Sequence, residues 1–221
     1  MIDLFLTIIK EIWHGKGINR VLVNRQFAGC HIGGAILDVG GDGRASIFRF
    51  LQLNPGAKVV SVDLIPEHKP DYVLNIEIEK IPLPDYSVDY VLAFGLIEHI
   101  SSIDNLLAEA RRLLKPGGKF LATVPFLVNV HPDPHDYWRL TDEKIIQVME
   151  KAGFHEVSVT AIGSGPFLAA YSLTEFAYPR FLRLLFLPVV WSLDELIRRL
   201  KPKIDWVGRY PLSYIIKAKN N

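Results

Sequence analysis

The chain reads as an α/β protein: a doubly wound, mostly parallel seven-stranded sheet with helices on both faces and a helical insertion before the last strand. Three observations predict it. Short apolar runs alternate with helical repeats between residues 35 and 162, the pattern of strands joined by helical crossovers. A glycine-rich turn, GGDG at 40–43, follows the first run, and Asp63 closes the second. A helical pattern over 163–209 then separates the sixth run from a final one, PLSYIIKAKN.

Each element follows in order. Residues 1–32 form an N-terminal helical segment ending in the turn HIGG. AILDV is the first strand, and Ile47, Phe50 and Leu51 set a helical pattern that NPGA stops. KVVSVDL, DYVLN and a run around 88–94 are the second, third and fourth strands. SIDNLLAEARRLLKPGG is a helix with apolar residues at 103, 106, 107, 110, 113 and 114, ended by Pro116, Gly117 and Gly118. KFLATVPF is the fifth strand. Thr141 caps a further helix, with Asp142 and Glu143 in its first turn. HEVSVTAI and PLSYIIKAKN complete the sheet, and the whole of 1–221 is read as one domain.

Composition narrows the function. With 25 Lys and Arg against 24 Asp and Glu, the net charge of +1 offers no phosphate-binding surplus, so no nucleic-acid partner is expected. One cysteine, Cys30, excludes a disulfide framework or a cysteine zinc site within one chain. The N-terminus lacks a basic lead and a cleavage site. No uninterrupted apolar run approaches the ~20 residues of a membrane span. A cytoplasmic protein is expected.

In open α/β sheets, ligands lie beyond the carboxyl ends of the strands. LDVGGDG would bring backbone amides close to a ligand there, and Asp63 could accept bonds from two ribose hydroxyls. These features suit an adenosine-type cofactor, and alone they also admit a nicotinamide-dependent reductase.

The stretches ILDVGGDGR, VVSVDL, LNIEIEKIPLPDYSVDYVLAFGLIEHI and LLAEARRLLKPGGKFLATVP occur in the order and spacing of another family. Over residues 33–162 the chain resembles class I S-adenosylmethionine-dependent methyltransferases of the type 11 kind, which have a Rossmann-like fold. The resemblance implies S-adenosylmethionine as cofactor. It places Asp38 and the Gly40, Gly41, Gly43 loop around the methionine part and Asp63 on the ribose hydroxyls. It also places Leu64 against the adenine, Asn75 and Ile76 at the adenine edge, and Phe94 on the reactive side. The family loop reads D-x-G-x-G-x-G, whereas here Asp42 stands among the glycines of Asp38-Val-Gly-Gly-Asp-Gly-Arg. A non-catalytic S-adenosylmethionine-binding scaffold is the alternative this departure raises.

The densest chemistry is VNVHPDPHDYWRLTDE, residues 128–143, after the fifth strand and so at the cleft rim. Some methyltransferases of this class carry a similar PHDYWR phrase. His131, Asp133 and His135 alternate, but Pro132 and Pro134 break a strand and methyl transfer needs no metal in principle, so no metal is expected. His135 with Asp136 is the expected catalytic pair, taking a proton from the attacking acceptor. Arg139, Trp138 and Thr141 read as structural, with Arg139 paired to Asp136. His99 is read as a helix-start residue facing the cleft; His14, His31, His68 and His155 carry no companion signal.

In the insertion, apolar residues at 189, 190, 193, 196, 197 and 200 oppose Asp194, Glu195, Arg198 and Arg199. The apolar face is expected to bury itself on the domain or in a homodimer. A lid, or a peripheral membrane contact through 180–200, is the sharper reading. The expected function is methyl transfer to a small-molecule, glycan or lipid-linked acceptor, at oxygen.

Overall fold

The computed structural model describes residues 2–41 and 50–221. In chain order the strands are β1 (His31–Ile32), β2 (Ala35–Val39), β3 (Gln52–Leu53), β4 (Lys58–Asp63), β5 (Tyr72–Val73) and β6 (Val88–Phe94). They continue as β7 (Leu114–Pro125), β8 (His155–Ile162) and β9 (Ser213–Lys219). The seven long-range partners line up as β5-β4-β2-β6-β7-β9-β8. Registers from β5 through β7 are parallel. β9 runs the other way, because Leu212 accepts from Phe126 while Asn220 donates to Gly118. All seven expected strands and the mostly parallel sheet are therefore present.

One detail departs from the sequence reading. Gln52 and Leu53, assigned to the end of a helix, instead pair with His31 and Ile32 in a small parallel ladder. The expected helix through Ile47 otherwise lies outside the described residues, as do Asp42 and Gly43.

The described chain divides into two compact units. One comprises Phe27–Pro125, Val130–Thr160 and Ile215–Asn221. Its core is the centre of the sheet, with Leu37, Val91, Leu92, Phe120 and Ala122 essentially inaccessible. Two helices flank it, α3 (Asp104–Leu113) and α4 (Asp142–Lys151). The Thr141 hydroxyl caps α4 by accepting from the Lys144 amide at 3.3 Å, as expected from the sequence. Asn220 seals the other helix: its amide nitrogen donates to the carbonyls of Leu114 and Arg111, which the helix end leaves unmet.

The long phrase that carried the family resemblance has a mechanical reason. Arg112 spans α3 and the loop before β6, donating to Glu109, Asp85 and the carbonyls of Ile81 and Leu83. Asp89 accepts from Lys115 and from the Ala35 amide, tying the starts of β2, β6 and β7 together. Both carboxylates, Asp89 and Glu109, consequently stay ionised below the usual carboxylate range, the Lys115 bond being the largest cause for Asp89. For Glu109 burial opposes the shift, and Arg112 and the Ile81 amide outweigh it.

The other unit joins the N-terminal stretch through Gln26 with Phe126–Asn129 and Ala161–Tyr214. It holds α1 (Ile2–Trp13), α2 (Ile18–Gln26), α5 (Pro166–Thr174), α6 (Arg180–Leu200) and the short α7 (Trp206–Arg209). Its core is Ile8, Ile12, Ile18, Val21, Leu168, Tyr171 and Leu187. Two buried carboxylates cap helix N-termini. Asp194, wholly inaccessible, accepts from the amides of Phe167 and Leu168 at the start of α5. Glu175 accepts from the Ile18 amide at the start of α2.

Asp194 overturns the orientation expected for α6. Its periodicity is correct, but Asp194 points inward, while Phe181, Leu185, Val189, Leu196 and Leu200 are exposed along the outside. The two α5 amides need an acceptor, and meeting them outweighs burying one more leucine face. The helix runs through Pro188 without a break. None of the described helices is long and apolar enough to cross a membrane.

Candidate active site

β2 delivers the chain to Gly40 and Gly41 at its carboxyl end. Gly40 has φ +71, and a Cβ there would meet the Leu96 side chain at 2.7 Å. A Cβ on Gly41 would overlap the Asp38 carboxylate, which is itself buried beneath it. Glycine is what lets the Leu96 side chain and the Asp38 carboxylate pack this closely against the backbone at the end of β2. Next door, β4 ends at Asp63. One of its oxygens accepts from the Ile65 amide at 2.8 Å and the other pairs with His68 Nδ1 at 3.1 Å. A carboxylate offers about four lone-pair sites, so acceptor capacity for a diol remains.

After β5, Asn75 makes a tight turn, its side-chain oxygen accepting from the Glu77 amide. Ile76 behind it is buried, whereas Leu64 after β4 is exposed. Gly40, Asp63, Leu64, Asn75 and Ile76 line one cleft at the carboxyl ends of the strands, where the sequence put them. Opposite stand His99 and the 133–135 loop. Three expected members, Asp38, Gly41 and Phe94, are not in the lining. Asp38 sits under Gly41, and the Phe94 ring packs edge-on against Phe27 at 5.1 Å, leaving Gly95 and Leu96 at the cleft wall. Gly43 lies outside the described residues.

The loop after β7 is docked onto the turn Ile97–Ile100 by three hydrogen bonds. His99 Nδ1 donates to the His135 carbonyl at 2.6 Å, the Tyr137 amide to the Glu98 carbonyl at 2.7 Å, and the Trp138 indole to the Ile100 carbonyl at 2.7 Å. His99 is therefore in a 3₁₀ turn facing the cleft rather than at a helix start.

The expected partnership of His135 with Asp136 is not made. Asp136 is engaged by both Arg139 nitrogens, at 2.5 and 2.7 Å, and accepts from the His131 amide. The guanidinium holds its carboxyl far below the usual range, so it stays charged and occupied. It fixes the loop, which is the structural reading of Arg139 and Trp138 given by the sequence. His135 faces the cleft with its ring 5.3 Å from Tyr137.

Two participants were missed. Glu98, read only as part of EHI, is 3% exposed, and burial pushes its carboxyl up to about 7 against the pull of its own amide and Arg139. A glutamate set between Ile97 and Ile100 was the available signal. His68, read as a surface residue, sits against Asp63; nothing in its neighbourhood of sequence marks that contact.

Residues 37–122 match the family model of a methyltransferase domain. A probable S-adenosylmethionine-dependent methyltransferase of Mycolicibacterium smegmatis is 32% identical over 96 residues, covering 41% of this chain and 37% of that protein. A ubiquinone/menaquinone biosynthesis C-methyltransferase of a Caulobacter species is 54% identical over 44 residues, 20% of this chain and 17% of that one. A solved SAM-dependent methyltransferase from Archaeoglobus fulgidus superposes with a TM-score of 0.53 at 18% identity, covering 91% of this chain and 94% of its own, so the fold is shared. The chain spans well under half the length of these curated relatives.

Proposed function

We propose, from the class I methyltransferase domain that this chain carries, that it transfers the methyl group of S-adenosylmethionine to an acceptor bound at the cleft rim. The observation that carries the reading is the convergence of Gly40, Asp63 and Ile76 on one cleft at the ends of adjacent strands, within the matched residues. The residues fit the cofactor: Gly40 brings bare backbone to the cleft, and Asp63 keeps lone pairs for vicinal hydroxyls. When bound, S-adenosylmethionine supplies an electrophilic methyl on a sulfonium.

The chain's own residues then hold and exclude. Gly40 and Gly41, beside Asp38, accommodate the methionine portion. Asp63 accepts from the ribose, and Leu64, Asn75 and Ile76 enclose the adenine. Holding the two reactants in line in a site shielded from water provides much of the acceleration. His135, facing the cleft, takes the proton of an attacking hydroxyl. Asp136 serves by positioning the loop rather than by touching the acceptor.

Oxygen is the acceptor atom we favour; carbon is the second reading, supported by the C-methyltransferase relative. A lipid-linked acceptor, and a membrane or homodimer contact through 180–200, draw support from the exposed apolar stripe of α6 flanked by Arg180, Arg198 and Arg199. The nicotinamide-dependent reductase has no support from the family match.

Calorimetry with S-adenosylmethionine and S-adenosylhomocysteine tests the shared first step. Absence of binding by either would refute the reading. Binding without methyl transfer across a screen of hydroxylated, glycan and lipid-linked acceptors would favour the scaffold alternative.

A further inference from the structure

Beside the cleft, three side chains converge that cofactor binding leaves unused. Glu98 and His99 lie in the turn Ile97–His99, and His131 belongs to the loop docked upon it. One carboxylate oxygen and one nitrogen of each ring lie within 4.8 Å of one another. Glu98 Oε1 stands 3.8 Å from His99 Nε2 and 4.0 Å from His131 Nε2, beyond hydrogen-bonding distance. Ligands bonded at about 2.1 Å to one cation sit roughly 3.0–3.4 Å apart, a contraction that small rotamer adjustments can supply.

Two further observations point to a ligand. Glu98 is deeply buried and its Oε2 has no hydrogen-bond partner among the described residues, which is costly unless something else compensates the carboxylate. Both imidazoles are also oriented from behind. A carbonyl oxygen only accepts, so His99 Nδ1 carries the proton it gives to His135, which leaves Nε2, facing Glu98, as the nitrogen a metal ion would use. His131 repeats the arrangement, with Nδ1 facing the Asp136 carboxylate at 3.5 Å and Nε2 facing Glu98. Backing of this kind, by a carbonyl or a carboxylate, sets the tautomer of a metal-bound histidine. Arg139 holds Asp136 in place for it.

We propose that Glu98, His99 and His131 form a binding site for a divalent transition-metal ion of the zinc type, with its open positions facing the cleft that His99 lines. Two imidazoles and a carboxylate suit zinc, manganese or iron(II) better than calcium or magnesium, which prefer oxygen donors. This set shares only His131 with the alternating residues that the sequence offered. The role of the ion rests on the methyl-transfer reading, though its binding does not: it holds the acceptor hydroxyl, lowers its pKa and orients the oxygen.

Chelator-dialysed protein titrated with Zn²⁺ by calorimetry, and with Co²⁺ by visible absorption, tests the site. One ion per chain is expected, and Glu98→Gln and His131→Ala should each weaken binding at least ~10-fold. Both variants should bind S-adenosylhomocysteine as the wild type does. Substoichiometric binding by the wild type, or equal affinity in both variants, would overturn the site. His131 is half exposed, so its alanine variant keeps the test alive if Glu98→Gln fails to fold. Failure of the wild type to bind S-adenosylhomocysteine would instead refute the methyl-donor reading and leave the metal titration decisive for the site.

Discussion

Two sets of carboxylates, one in each unit, are held in different ways. In the sheet unit, Asp89, Glu109 and Asp136 each meet a lysine or arginine. In the helical unit, Asp194 and Glu175 meet backbone amides at helix starts. A side-chain cation stays with its carboxylate wherever the pair goes, so such a contact can tie down a loop, as Arg112 does before β6 and Arg139 does at the cleft rim. A helix end is fixed in the fold, so a carboxylate serving it must be carried inward whatever its own helix would prefer. The first arrangement shapes a site; the second determines which face of a helix is buried.

That contrast should appear as a separation of activity from stability. The largest effect is expected from His135→Ala, which should lower kcat by roughly 10²–10⁴ if the imidazole takes the acceptor proton. Its affinity for S-adenosylhomocysteine and its urea midpoint should stay put, and an unchanged rate would end the role assigned to His135. Asp194→Ala should do the reverse. Leaving two amides at the head of α5 without an acceptor should cost about 2–4 kcal/mol in urea unfolding. A loss no greater than that of a surface substitution would show that water meets those amides.

Glu175 gives a pH test. Burial raises its carboxyl to about 7, partly opposed by the Ile18 amide and Arg183. A carboxyl with a raised folded pKa binds its proton more tightly in the folded chain. Its stabilisation is complete below the unfolded value near 4.5, and it is lost as pH rises through 7. Glu175→Gln should therefore gain stability relative to wild type between those limits, by up to ~1.4 kcal/mol per pH unit, and hold the gain above pH 7. Urea midpoints at pH 5 and pH 8 check this; a constant difference would place the titration elsewhere. The smallest effect belongs to Lys115→Ala, where the lysine is nearly half exposed. Screening limits that pair to about 0–1 kcal/mol by the same measurement.

The strands were readable because β-branched runs bounded by Gly, Pro and Asp have few alternatives, and the cleft followed from where such strands end. Arg112 and Asp89 explain why so specific a phrase accompanies the fold. Periodicity was less informative for α6: a period of 3.6 says that a helix has two faces, not which one is inward. That choice depended on amides of another helix, which local sequence does not display. The same holds for the β1–β3 ladder and for Glu98, which meets His131 of the loop after β7. His135 and Asp136 are adjacent in sequence, yet Arg139 three residues on competes for the carboxylate and wins.

The docking of the loop on the Ile97–Ile100 turn has a consequence for how the rim of the cleft could diversify. Of the six groups in its three hydrogen bonds, four belong to the main chain: the carbonyls of His135, Glu98 and Ile100 and the amide of Tyr137. Val130, Pro132 and Asp133 contribute no side chain to that attachment and are exposed. Substitutions there can alter what the rim recognises while the loop keeps its seat. Under the methyl-transfer proposal, acceptor preference would thus drift through neutral exchange at a few positions, at little cost in stability for each change.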